Sequence, residues 1–193
     1  VESLNANFSY KYFGKGRGSS IYNFIDERYF EFYSTVISSS EREATYLIDG
    51  LMHNDVIQSD MHSTDSHGFS EIIFGVTHLL GCFFAPRIAG FKDLKLYSFD
   101  KPSIYEEQGY KIIPDGTIDI DLLEEYWDEI LRFIVSIKLK VCLPSELFRR
   151  LNSYANQHPL YKALKEFGKI IKSIFILRYI DEVELRQAIQ KKL

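Results

Sequence analysis

The sequence predicts an α/β fold in which strands open the chain, a strand–helix–strand unit follows, and helices fill the last third. Three features carry this prediction. Aromatic and β-branched residues crowd "IYNFIDERYFEFYSTVI" near the start. Between residues 56 and 90 a short strand pattern, a capped helix and a second strand succeed one another. From Leu123 onward apolar residues recur at steps of three and four. With 193 residues, 46% of them hydrophobic, the chain can bury a substantial core.

In chain order, residues 20–25 and 29–37 read as two strands joined by the charged Asp26-Glu27-Arg28 connection. In "SSSEREATYLIDGLMHN", Ser40 followed three residues later by Glu43 is a capping-box signal, and Ala44, Leu47, Ile48 and Leu51 continue at helical spacing. Residues 56–61 form the next strand pattern. "GFSEIIFGVTHLLG" reads as a helix with Ser70 at its N-cap and Gly81 just past its end, and "CFFAPRIAG" as the strand after it.

Between Phe91 and Thr117 lies a connection rich in Pro, Gly and charge, with little periodicity. Leu123, Trp127, Ile130, Ile134, Ile137 and Val141 then predict a single helix of about 20 residues, stopped before Pro144. Ser145 is the expected cap of "ELFRRLNSYANQ", and the remainder supplies one or two more helices. This divides the chain into a sheet with its helices over residues 1–90, a connection over 91–118, and helices over 119–193. No internal repeat or low-complexity tract is visible.

Composition narrows the chemistry. No apolar run approaches the roughly 20 residues that cross a bilayer. Cys82 and Cys142 stand singly in apolar surroundings, the pattern of inert buried thiols in a reducing compartment. The net charge of -4 hides an asymmetry: residues 100–131 carry ten acids against two bases, and residues 162–193 carry eight bases against four acids. The acidic run from Glu106 to Glu129 reads as a solvated face that would repel DNA. Trp127 and the aliphatic stripe around it read as core. His78, on an apolar helix, reads as a satisfied interior histidine.

"SDMHSTDSHG", residues 59–68, sets two carboxylates and two imidazoles at a strand end, where α/β sheets gather their functional groups. Asp65 could reach a hard cation such as Mg²⁺, or could cap the helix that begins near Ser70. Asp60 and His62 alternate along one sheet face, so the pairs Asp60/His62 and Asp65/His67 do not easily share a site. A zinc site built on His62 and His67 would need a third nitrogen from His53 or His78, and no HExxH or Cys/His framework supports it.

"YKYFGKGRGSS" lacks the phosphate-loop order and precedes a strand. Its Lys11, Lys15 and Arg17, interleaved with Tyr10, Tyr12 and Phe13, could contact a nucleic-acid backbone, or could simply be a solvated hairpin tip. Arg87, after Pro86 at a strand end, could clamp a phosphate or form a surface ion pair.

Taken in order and spacing, "NFSYKYFGKGRG", "YSTVISSSEREATYLIDGL", "HSTDSHG", "HLLGCFFAPRI" and "ALKEFGKIIKSIFILRYIDEVELRQAI" closely resemble the catalytic region of the large replicative transposases of the Tn-three family, across essentially the whole chain. The resemblance implies a ribonuclease H-like core, a mixed sheet flanked by helices with a helical insertion in its C-terminal third. In that core two Asp and one Glu hold two Mg²⁺ ions, replaceable by Mn²⁺, for cleaving DNA ends and joining them to a target. The family's His-x-Thr-Asp motif falls on His62-Ser63-Thr64-Asp65, which makes Asp65 the second catalytic carboxylate and His62 its support. The resemblance also implies terminal inverted repeats and target DNA as partners, a homodimer for the full-length protein, and a location with the bacterial nucleoid in the cytoplasm.

The Ser-Asp-Gly and Asn-Lys-Gly-Glu blocks that carry the other two ligands are not in the chain. Together with a start at Val1, this leads us to expect a middle piece of a catalytic domain, with the termini of its core truncated and no activity of its own. Glu166, Glu182 and Glu184 lack the motif. Two other readings compete: a non-catalytic DNA- or protein-binding remnant, and an unrelated Mg²⁺ phosphohydrolase, which would need a complete ligand set within these residues.

Overall fold

The computed structural model describes residues 6–8, 10, 14–26, 28–38, 43–53, 61–64, 70–88, 90, 92, 94–153 and 157–191. Alternation at the start of the chain produces an antiparallel sheet in the order β1 (Asn7–Phe8), β2 (Arg17–Ile25), β3 (Glu31–Ser38). Phe24 and Ile37 face inward at 2% and 1% exposure, while Ile21 and Val36, directly paired, face out. The charged connection is a true turn: the Asp26 carboxylate accepts from the Arg28 and Phe30 amides, both at 2.9 Å.

Helix α1 (Glu43–His53) lies against this hairpin, so closely that a Cβ on Gly50 would run into the Phe24 ring. The proposed Ser40 cap lies outside the described residues. Next come β4 (Met61–His62), α2 (Glu71–Leu80) and β5 (Phe83–Phe84). Ser70 occupies the N-cap position in extended backbone, and Gly81 closes α2 at φ 88°, a left-handed conformation that suits glycine.

The region 91–118 holds more structure than its composition predicts. Strands β6 (Tyr97–Ser98) and β7 (Gly116–Thr117) pair in parallel around helix α3 (Pro102–Glu107). Strands of two residues carry no readable period, which is why the sequence reads as a bare connection. Among the described residues the strands form three small separate sheets rather than one mixed sheet.

The predicted single helix is two, α4 (Ile120–Glu125) and α5 (Trp127–Lys138), broken at Tyr126, where φ -105° and ψ 14° leave the helical basin. It also ends early: Lys140 takes φ 55°, and Val141 is 72% exposed instead of continuing the buried stripe. Trp127 is half-buried against the core, 5.6 Å from the Phe167 ring. Every acidic residue from Glu106 to Glu129 is exposed, as expected of a solvated face.

Helix α6 (Pro144–Asn152) starts with proline in its first turn and Leu143 at the cap position, so Ser145 does not cap it. The partner comes from far away in sequence: the buried Asp49 carboxylate of α1 accepts the Ser145 amide at 2.8 Å. Burial, the largest influence, raises the Asp49 pKa above the usual carboxylate range against the lowering effect of its bonds to Ser145. Cys82 and Cys142 are not joined in a disulfide, and both are half-buried rather than buried. His78 is exposed in the last turn of α2, its ring 6.1 Å from Phe167, and is not the interior histidine predicted.

Helices α7 (Pro159–Asp181) and α8 (Val183–Lys191) end the chain. The core gathers Leu47 and Ile48 of α1, Ile72 to Val76 of α2, Ile130 to Ile137 of α5, Phe148 of α6 and Leu164 and Phe175 of α7 into one cluster. At its centre α2 crosses α7 backbone to backbone. A Cβ on Gly75 would meet the Gly168 amide nitrogen at 3.1 Å, and one on Gly168 would enter the Glu71 carbonyl oxygen.

Beside this crossing the Lys172 ammonium, on a residue 7% exposed, bonds Glu71 at 2.8 Å. Burial pushes the Glu71 carboxyl up, but the Lys172 bond and the nearby ammonium charges outweigh it and hold it below its ordinary 4.5. A depressed carboxylate stabilises the fold above its unfolded pKa, and that contribution is lost as pH falls through the folded value. Glu71→Ala is therefore expected to cost about 3 kcal/mol at neutral pH by stranding a buried ammonium, and to flatten the acid-side loss of stability. Urea titrations of both proteins above and below pH 4.5 measure it.

Candidate functional site

The segment that carries the candidate motif is pinned by a parallel ladder. Met61 pairs with Phe83 and His62 with Phe84. Beyond the formal strands, the Ala85 amide donates to the His62 carbonyl at 2.8 Å and the Arg87 amide to the Thr64 carbonyl at 2.9 Å. The Ser63 hydroxyl donates to the Ala85 carbonyl at 2.9 Å. Residues 61–64 thus form one fixed extended piece, and Thr64 is its last described residue. Asp65 follows it in the chain.

Asp65 itself, with Asp60, His67 and Lys11, lies outside the described residues. His62 is described, half-buried between the hairpin and β5: its ring is 5.7 Å from Phe24 and stacks 6.5 Å from Phe84. Such a sandwich fixes the strand end against the sheet, which suits a residue that orients its neighbours. Lys15 and Arg17 are exposed where the β1–β2 hairpin connection returns into β2. Arg87 is exposed at the end of the β5 ladder, near the strand end but remote in sequence from Lys15 and Arg17.

The three glutamates that lack the motif have differing surroundings. Glu166 is paired with Lys169 at 2.6 Å and accepts the Asp119 amide at 3.0 Å. Glu182 forks onto Arg178 at 2.7 and 3.0 Å, and this bond, the largest influence, lowers its pKa. Glu184 stands exposed in the first turn of α8. Tyr97, beside Glu166, is shifted up by burial first and by the carboxylates of Glu71, Asp115 and Glu166 after it.

One group that sequence reasoning passed over is Thr64. It is 8% exposed, and its hydroxyl has no hydrogen-bond partner among the described residues. A buried hydroxyl without a partner costs about 1–3 kcal/mol. Thr64→Val is accordingly expected to leave thermal stability unchanged or slightly raised; a drop of several degrees would reveal a structural bond. Thr64 immediately precedes the aspartate of the candidate motif, and successive side chains of an extended segment point to opposite faces, so its hydroxyl marks the inward side of the strand end. Among the described residues no group of three or more His, Cys, Asp or Glu is placed to hold a metal ion.

A second feature adjoins the strand end. An open cleft of about 540 Å³ runs between Arg87 and the elbow where α7 meets α8, with Arg186, Gln187 and Gln190 along its wall. No signal in the sequence joins residue 87 to residues a hundred positions later. Among the described residues no helix is long and apolar enough to cross a membrane.

Comparison with known proteins identifies the family of the chain. The family pattern described as the Tn3 transposase DDE domain matches residues 1–193. The chain is 38% identical over 194 residues to the transposase for transposon Tn1546 of Enterococcus faecium, covering 100% of this chain and 19% of that protein. It is 36% identical to the transposase for transposon Tn21 of Escherichia coli, over 92% of this chain and 18% of that one. It is 32% identical to the transposase for transposon gamma-delta of Escherichia coli K12, over 100% of this chain and 19% of that one. The chain therefore spans about a fifth of the length of these relatives.

Proposed function

Because this chain belongs to the Tn3 transposase family, through its DDE domain, we propose that it forms part of the catalytic region of a DNA transposase that cleaves transposon ends and joins them to target DNA. The observation that supports the reading is the fixed strand end: the bonds from Ala85 and Arg87 hold His62 to Thr64, the first three residues of the four-residue stretch His62-Ser63-Thr64-Asp65 that resembles the family motif, at the edge of a parallel pair. A ribonuclease H-like core is the fold this reading implies.

In this reading Asp65 is a ligand of divalent metal, Mg²⁺ or Mn²⁺, and the bound ions supply charge stabilisation for in-line displacement at a phosphodiester. The residues of the chain do the rest. His62, held between Phe24 and Phe84, fixes the backbone from which the carboxylate projects. Ser63 ties that backbone to Ala85, and Thr64 anchors it through the bond from the Arg87 amide. Lys11, Lys15, Arg17 and Arg87 contact DNA phosphates and set the register of the substrate. The partners are terminal inverted repeats and target DNA, the active full-length protein is a homodimer, and it works with the bacterial nucleoid.

The test is strand nicking by the full-length protein on supercoiled DNA bearing transposon ends. Nicks at the 3′ ends are expected in Mg²⁺ and Mn²⁺ and are expected to vanish on chelation, while the 193-residue chain alone cuts nothing. Salt-sensitive DNA binding by the full-length protein with no cleavage in either ion would favour a non-catalytic remnant instead.

A further inference from the structure

Building on the reading of Asp65 as a catalytic ligand, we propose that the cleft between the end of β5 and the α7–α8 elbow holds the nucleotide next to the scissile one. Its phosphate lies against Arg87 and its base edge against Gln187 and Gln190. The wall chemistry selects this ligand. The described residues lining the cleft contribute two guanidinium groups and two side-chain amides, and no carboxylate. Such a wall attracts an anion and rejects none of its neighbours.

The two arginines have separate duties. Arg186 Nη1 donates to the carbonyls of Tyr179 and Ile180 at 2.6 and 2.7 Å, in the last turn of α7, so it latches the elbow. Arg87 is exposed and forms no ion pair among the described residues, and its fork suits a phosphate. Gln187 and Gln190 stand three apart on α8, both exposed, so they share one face. An amide both donates and accepts, which is what reading a base edge requires.

Position selects the nucleotide. The Arg87 amide is bonded to the Thr64 carbonyl at 2.9 Å, so the residue that brings its guanidinium to the cleft lies one strand spacing from the residue before Asp65. A phosphate on Arg87 therefore belongs to a nucleotide flanking the one cut at Asp65.

The experiment measures binding of the full-length protein to nicked transposon-end duplexes across a salt series, with the nucleotide beside the cleavage point intact or abasic. Arg87→Gln is expected to weaken binding about tenfold or more and to lower the slope of log affinity against log salt by about one. Arg87→Lys, which keeps the charge, is expected to restore the slope. Gln187→Ala with Gln190→Ala is expected to leave the slope alone and to abolish a preference of about fivefold for the intact over the abasic duplex. Unchanged affinity and slope in Arg87→Gln, or an undiminished preference in the glutamine variant, would overturn the proposal. Asp65→Asn, assayed alongside for nicking, separates the two readings: if it still nicks, the catalytic reading fails, and if it is inert while the cleft variants behave as wild type, only the cleft fails.

Discussion

Replacing Gly168 with alanine is expected to destabilise the chain by about 2–4 kcal/mol, and with leucine to prevent folding. Alanine in a helix interior ordinarily stabilises by about 1 kcal/mol relative to glycine, so the predicted sign is opposite to propensity. The reason is contact between backbones. A Cβ at Gly168 enters the Glu71 carbonyl oxygen, and both atoms belong to helices that are locked, α2 through Ile72, Ile73, Phe74 and Val76 and α7 through Leu164 and Phe175. No flexible side chain is there to swing aside. Relief requires prising α2 from α7, which also stretches the Lys172 to Glu71 pair.

Gly116→Ala is the control, since its Cβ would meet the Tyr97 ring carbons at 3.5 Å, an ordinary contact. Urea denaturation followed by circular dichroism decides the matter. A Gly168→Ala midpoint equal to that of wild type would mean that the crossing is looser than the structure has it.

How far the sequence announced this architecture depends on the reach of the interactions involved. The hairpin was legible because alternation is local: Phe24 and Ile37 point in, Ile21 and Val36 point out, and Asp26 makes its turn with amides two and four residues away. Helix α2 was legible for the same reason, with Ser70 and Gly81 at its ends. Distant partners were not. Ser145 looked like a cap, yet the carboxylate that satisfies its amide is Asp49, 96 residues earlier.

The break at Tyr126 and the left-handed Lys140 interrupt a stripe that reads as continuous, because three- and four-residue steps survive a one-residue kink. His78 lay on an apolar helix but at an exposed position in its last turn, beside Phe167 of α7, a distinction that a helical period alone does not make. At the site, Asp65 stood out only through the resemblance of its motif, since an aspartate before a helix is as good a cap as a ligand. Thr64 gave no signal at all: what marks it is a buried hydroxyl without a partner among the described residues, a property of packing. The cleft joins Arg87 to Gln187 and Gln190 and exists only once α7 and α8 have folded over the strand end.

Asp65 is the residue on which the functional account stands. Asn at that position keeps the shape and one oxygen and removes the negative charge that a hard dication needs. The most direct measurement is end nicking by full-length Asp65→Asn protein in Mg²⁺ and in Mn²⁺, with binding to the same end DNA measured on the same preparation. The account predicts wild-type binding with nicking below detection in both ions. Nicking at the wild-type rate by a protein that binds normally would contradict it.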